Sequence, residues 1–342
     1  MARSLLDMQS EVMQVLLEHQ DEAGYWRQSS QDNRLIPYFN HFGANALVLM
    51  AERVSDPVLK AELISAVDKW LMWYRNHMRD DGTVYDYQII DGVEVSTGDY
   101  DSTDSYAALF LVVLWNRLQA EGRLEQVKEW MPAVNLAIAA MELTEDPQDG
   151  LTYAKPGWPK KYLMDNAELM LGYRAAAMLY AKAGDELKSH AAEAKTARIV
   201  EAIETQFWFP QEQYYAWAKD QSGAMDAGMS KLYPDALSNI LYFAMCGNSG
   251  DERHQRHFAR LVEMFALFGQ GLELKGHILL EHALWWIQAA LKLGRSGLAQ
   301  QLWDSLEFPD LALLPMSVLG HIGRAAVLLQ HPGRADWLIN PS

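Results

Sequence analysis

Apolar residues recur at i, i+3, i+4 and i+7 along most of this chain, the spacing that gathers them on one face of an α-helix. The pattern predicts helices over roughly 3–19, 41–54, 57–77, 103–121, 123–143, 165–183, 185–206, 234–246, 251–265, 278–293, 296–306 and 315–330. The connections between them alternate in length. Short turns, "SDP", "EGR", "AGD", "GNSGD" and "LGRS", join the second helix to the third, the fourth to the fifth, and so on. Long segments, 20–40, 78–102, 144–164, 207–233, 266–277 and 307–314, separate the resulting pairs. Antiparallel helices in that order put every short turn on one end and every long loop on the other. Six hairpins closed into a ring predict an all-α fold, an α/α toroid of six hairpins with an inner and an outer layer. With no linker to divide the chain, one domain over 1–342 is expected. A solenoid is the competing layout, but no fixed-period repeat supports it. "DGTVYDYQIIDGVEV" reads as two short strands around Asp91-Gly92, a small β excursion above the long-loop end.

Composition narrows the function. Half of the 342 residues are hydrophobic, enough for a large core. The net charge of −16, without a Lys/Arg-rich block, argues against nucleic acid and against anionic membranes. The one cysteine, Cys246, forms no intramolecular disulfide and reads as core filler. The first twenty residues are amphipathic and acidic, with no apolar leader core, so a soluble, cytoplasmic protein is expected. A chain whose signal peptide had been removed would read the same way. There are 12 Trp and 15 Tyr, and many fall in the long loops, where aromatic rings line pockets.

Acidic residues cluster at the starts of the even-numbered helices. Asp101 and Asp104 open the fourth, Asp165 and Glu168 the sixth, Asp235 the eighth, and Glu281 lies in the first turns of the tenth. Asp226 ends a long loop. In a toroid these helices form the inner ring and aim these ends into one basin. A plain reading stands beside each. Asp near a helix start caps it or complements its dipole, and Asp165-x-x-Glu168 has the form of a capping box. In "GDYDSTDS", Ser102 or Thr103 suffices as a cap, leaving Asp104 free to face the basin. Glu281 lies past the cap position in an apolar run, and a buried carboxylate there needs a partner or a task. His277, four residues earlier, shares its face. Asn40, His41 and Asn45 face the basin in the same picture, as a polar rim or as a plain helix start. HExxH, Cys/His metal clusters, G-x-S-x-G and the P-loop are all missing, so no metal or cofactor is expected. Paired carboxylates with aromatic platforms suit glycosidic hydrolysis, which needs no cofactor.

At these residues the chain resembles the six-hairpin glycosidases: glucoamylases, neutral invertases and the glucosidase part of glycogen debranching enzymes. "YDSTDSYAALFLVVLWNRLQAEG" is similar to their acid-serine helix start, and "DGLTYAKPGWPKKYLMDNAELMLGYRAAAMLYAKAGD" to the segment carrying a loop acid before an Asn-containing helix. "FWFPQEQYYAW" resembles their aromatic hairpin, and "HILLEHALWWIQAALKLG" the late hairpin where a general base is often placed. The resemblance implies a glycoside hydrolase of the inverting, two-carboxylate kind acting on an oligo- or polysaccharide. The acid would be Asp165, then Asp104. The base would be Glu281, with Glu168 behind it. Asp101, Trp26, Tyr38, Asn40, His41, Tyr106, Trp158, Tyr162, Asn166 and His277 would bind the sugar. Two alternatives keep the fold: a sugar epimerase or polysaccharide lyase using His41, His77 and His277, and a toroid that binds glycan or protein without catalysis.

Overall fold

The computed structural model describes residues 4–265 and 276–339, with side chains over 4–265 and 280–339. Its helices, in chain order, are α1 (Leu5–Glu18), α2 (Pro37–Ala51), α3 (Pro57–His77), α4 (Thr103–Ala120), α5 (Val127–Glu142), α6 (Leu163–Ala183), α7 (Glu186–Ala202), α8 (Leu237–Cys246), α9 (Glu252–Met264), α10 (Gly276–Lys292), α11 (Ser296–Asp304) and α12 (Met316–Gln330). The even-numbered helices pack in ring order, α2 on α4, α4 on α6, α6 on α8, α8 on α10 and α10 on α12, and α12 returns to α2. The fold is therefore an all-α toroid, closed rather than solenoidal.

Burial separates the two layers. Every residue of α4 from Thr103 to Leu118 is buried, whereas the outer helix α7 buries only four of its residues. A helix apolar on all sides belongs inside, and one with a single apolar stripe belongs outside. Inner helices approach closely where side chains are small. A Cβ at Gly172 of α6 would fall 2.6 Å from Ala108 Cα of α4, and one at Gly320 of α12 would fall 2.5 Å from the Phe42 carbonyl carbon of α2.

The long loops meet around one face. Strands β1 (Arg34–Leu35), β2 (Tyr87–Ile90) and β3 (Val93–Ser96) form an antiparallel sheet that ties the first loop to the second. Asp91 and Gly92, with φ of 51° and 78°, turn the β2–β3 hairpin, as the Asp-Gly pair predicts. Thr103 N donates to Ala154 O, linking the second loop to the third. Strand β4 (Lys160–Tyr162) of the third loop leads into α6. The fourth loop carries β5 (Trp208–Phe209), β6 (Tyr214–Tyr215), β7 (Ala218–Asp220) and β8 (Met225–Asp226), and β7 lies between β4 and β8. Met316 N donates to Gln28 O, so the last loop meets the first.

Three inner helices hold their incoming loops by the same device. Asn40 of α2 accepts from Trp26 N at 2.8 Å and donates to Trp26 O at 3.0 Å. Asn166 of α6 does this to Thr152, at 2.9 and 3.2 Å, and Asn239 of α8 to Tyr215, at 2.9 and 3.0 Å. Each also donates to the carbonyl four residues before it, Ile36, Tyr162 or Asp235. A buried peptide group needs both partners, and one carboxamide supplies them. The sequence shows no such repeat, because the loop residue lies 14 positions upstream in two cases and 24 in the third.

Boundaries differ from the periodic pattern in places. α2 starts at Pro37 rather than 41, because proline at the first helical position needs no N–H partner. α8 starts at Leu237, after a π-type turn over Leu232–Ala236 that contains Pro234. Most of the expected 266–277 loop lies outside the described residues.

Candidate active site

Tyr38, near the start of α2, bonds one acidic group of the ring and feels the charge of two others. Its hydroxyl donates to Glu168 Oε1 at 2.7 Å. Burial raises the Tyr38 hydroxyl well above its ordinary value, and the charges of Glu168, Asp165 and Glu281 raise it further. The charges of carboxyl groups on α6 and α10 therefore both reach a group from α2. These are alternate members of the ring, so that group is inside it.

α6 carries two of these acids, and neither caps it. The helix opens at Leu163 after Tyr162, with no side-chain cap, so Asp165-x-x-Glu168 is not a capping box. Asp165 is pushed far above the usual carboxylate range, first by burial, then by the negative charges of Asp104, Glu168 and Asp101. Its carboxyl takes no hydrogen bond from another described side chain. Glu168 is pushed up to about 8, mainly by burial. The hydroxyls of Ser105 and Tyr38 beside it pull it back down in part.

Glu281 approaches from α10. Burial raises it to about 7. Facing it, His321 of α12 puts Nε2 3.8 Å from Glu281 Oε1. Arg324 has only donors, so Gln288 must turn its oxygen to Arg324 Nε at 2.9 Å and its amide to His321 Nδ1 at 3.2 Å. That leaves the imidazole proton on Nε2, which is near Glu281 but has no hydrogen-bond partner among the described residues. Burial lowers His321 to about 3, which keeps it neutral.

Asp104 is not free, contrary to the reading of "GDYDSTDS". Ser102 caps α4 as expected. Asp104 is 0% exposed, and its Oδ1 accepts from Ser102 Oγ at 2.6 Å and Ser105 N at 2.8 Å. Its Oδ2 accepts from Thr152 Oγ1. Thr152 lies 48 residues away, so local sequence could not reveal this partner. Burial still holds Asp104 above the usual carboxylate range. Asp101 is exposed at the rim, and its charge acts on Asp86, Asp165 and Tyr233.

The substrate-binding candidates divide. Trp158 is 42% exposed and donates from Nε1 to Tyr162 OH at 3.0 Å. Tyr162 lies parallel to Trp217, with ring centroids 6.1 Å apart, which makes an aromatic ladder at the rim. Tyr106 is buried and donates to Asp86 Oδ1 at 2.9 Å, while its ring stacks 6.0 Å from Tyr38. Trp26 is not at the basin: it is wholly buried, and its Nε1 donates to Leu16 O at 2.7 Å. Asn40 and Asn166 are spent on the backbone clamps described above. His41 is buried between Trp70 and Tyr74, accepts from Trp70 Nε1, and is lowered to about 3. The side chain of His277 lies outside the described residues. His77, on the outer helix α3, donates from Nδ1 to Trp73 O and pairs through Nε2 with Glu94 at 2.9 Å. His41 is thus packed among aromatic rings, and His77 is paired on an outer helix.

Two acids expected nearby have other partners. Asp235 does not cap its helix; its Oδ2 accepts from Ser230 N and Lys231 N of the preceding loop. Asp226 pairs with Lys160. Sequence reasoning missed Asp86, raised to about 6 by burial with help from Asp101 and Asp99. It also missed Tyr233, stacked on His282 at 6.2 Å, and the His321–Gln288 pair. Asp86 sits in the quoted strand segment, where only its alternation with Tyr85 and Tyr87 marks it. Among the described residues no group of three or more His, Cys, Asp or Glu side chains is placed to hold a metal ion, and no helix is long and apolar enough to cross a membrane.

No known family model matches the chain, and no curated protein matches its sequence. Solved structures do match its shape. A glycosidase variant aligns over 98% of both chains at 12% identity and a TM-score of 0.65. An inactive variant of the α-1,6-mannanase of Salegentibacter sp. HEL1_6, in complex with α-1,6-mannotriose, aligns over 95% of this chain and 100% of its own, at 10% identity and a TM-score of 0.62. An α-amylase from Clostridium perfringens aligns over 96% and 99%, at 9% identity and a TM-score of 0.60. The chain thus shares the α/α-toroid fold of these glycosidases.

Proposed function

We propose that this chain is a glycoside hydrolase that cleaves an O-glycosidic bond of an oligo- or polysaccharide with inversion. The observation that carries the reading is that raised-pKa carboxyl groups from α6 and from α10 both act by their charge on Tyr38 inside the ring. Asp165 is the general acid: burial and the neighbouring acids favour its protonated form, and its carboxyl is not held by another side chain. Glu281 is the general base, ionising near pH 7 beside the Nε2–H of His321. Asp165 gives its proton to the leaving oxygen as the bond to the anomeric carbon breaks. Water attacks that carbon from the other face and passes a proton to Glu281. Tyr38 and Glu168 hold each other between these groups. Asp86 and Asp101 offer acceptors to sugar hydroxyls, and Trp158, Tyr162 and Tyr233 offer ring faces.

The toroid likeness supports this reading, as does the resemblance to glucoamylases, neutral invertases and debranching glucosidases. The α-1,6-mannanase and the α-amylase among the structural neighbours make α-linked mannan and starch oligosaccharides the first substrates to try. On a substrate that the wild type cleaves, Asp165→Asn and Glu281→Gln should each lower kcat by about 10²–10⁴ and leave substrate binding within a few-fold. Full turnover by either variant would remove that residue from its role.

A further inference from the structure

The opposite face of the toroid, where the short turns lie, holds a cavity of about 630 Å³. Arg174 of α6, Cys246 at the end of α8, Ser249, Lys292 at the end of α10, Ser296 and Asp336 contribute to its wall. Its charge is unlike that of the rest of the chain, whose net charge is −16. Lys292 pairs with Asp336. Arg174 is exposed into this space and makes no hydrogen bond or ion pair among the described residues. Arg324 stands behind the wall. Its Nη2 donates to the carbonyls of Ala335 and Asp336 at 3.3 and 3.1 Å, and its buried Nη1 has no partner among the described residues. Two cations, Arg174 and Lys292, and one carboxylate, Asp336, thus line the cavity, with Arg324 behind them.

These cations feel each other. Lys292 is lowered to about 8, first by burial and then by Arg174 and Arg324. Cys246 offsets this in part, although burial pushes its own thiol up to about 12. The dipole of a helix C-terminus accounts for a lysine in the last turn of α10. It does not account for Arg174, in the middle of Leu163–Ala183. The first turn of α11 adds amide donors at Ser296, and its cap residue Arg295 supplies no side-chain acceptor for them. Guanidinium, ammonium and free amides around one space are the recognition set of an oxyanion. The volume is that of a small-molecule site rather than of a bare ion.

We propose that this cavity is a second binding site, separate from the carboxylate basin, that takes the phosphate group of a small phosphorylated metabolite between Arg174, Lys292 and the first-turn amides of α11. The inference is independent of the glycosidase reading, because its test measures binding alone. Titration calorimetry of the full chain at low ionic strength, with inorganic phosphate and with a hexose phosphate, should show one site. Tighter binding of the hexose phosphate would assign the site to a phosphorylated sugar, and equal binding to phosphate itself. Arg174→Met should weaken binding at least tenfold, and unphosphorylated hexose should give no heat at this site. Arg174 is exposed, so the variant should melt as the wild type does, which a circular dichroism scan checks. A wild type that binds neither phosphate compound would overturn the proposal, as would an Arg174→Met variant that binds with unchanged affinity.

Discussion

Replacing Glu281 with glutamine should stabilise the protein at pH 8 and remove its activity. Burial raises this carboxyl from its ordinary 4.5 to about 7. The folded state therefore holds a proton through a range in which the unfolded chain has lost it. Stability from this group is fully present below the ordinary value and is lost as the pH rises through about 7. The shift corresponds to about 3 kcal/mol at about 1.4 kcal/mol per pH unit. Glutamine mimics the neutral acid at every pH, so at pH 8 the variant should be more stable by about that amount. Unfolding entropy of roughly 2 cal/mol/K per residue converts this into a rise in Tm of about 4 °C. At pH 5 the folded carboxyl is already neutral, and the gain should shrink to about 1 °C or less. Differential scanning calorimetry of both proteins at the two pH values reads this difference directly. Equal melting at pH 8, or the same gain at both pH values, would show that Glu281 is not a buried, high-pKa group. Retained turnover would show that it is not the base.

Other expectations follow from the same geometry. Asp104→Ala should destabilise the fold by about 1–3 kcal/mol for each buried donor it strands, Ser102 Oγ, Ser105 N or Thr152 Oγ1; chemical denaturation measures this, and a neutral result would contradict the bonding seen here. Trp158→Ala should raise KM with little change in stability, whereas Trp26→Ala should cost about 3–5 kcal/mol as a core deletion; steady-state kinetics and melting curves separate the two. The pH profile of kcat should rise through about 7 as Glu281 ionises; a profile flat across that pH would exclude Glu281 as the base.

Much of the architecture was legible because it rests on local signals. The i, i+3, i+4 pattern gives the helices, and the alternation of short turns with long loops gives the hairpins and the shared rim. Asp91-Gly92 gives the β-hairpin, since that pair accepts the positive φ values the turn demands. The site was less legible, because its groups are defined by partners far along the chain. Asp165 and Glu281 stood out as carboxyls in apolar helix starts. Nothing near Asp104 marked Thr152 as the donor that occupies it. Asn40 and Asn166 were expected at a sugar but hold buried peptide groups, a role that only the folded loops define. Trp26 shares its composition signal with Trp158; burial alone distinguishes core from platform. Asp86 becomes visible only when Tyr106, 20 residues away, turns its hydroxyl towards it.

Hydrolysis with inversion can be tested directly by incubating the protein with α-linked mannan and starch oligosaccharides in ¹⁸O-labelled water. Products are followed by mass spectrometry and by NMR of the new anomeric centre. The carboxylate pair proposed here predicts a reducing product with one ¹⁸O at its anomeric carbon and the configuration opposite to that of the bond cleaved. A retained configuration, an unsaturated product without label, an isomer of unchanged mass, or intact substrate across the panel would contradict it.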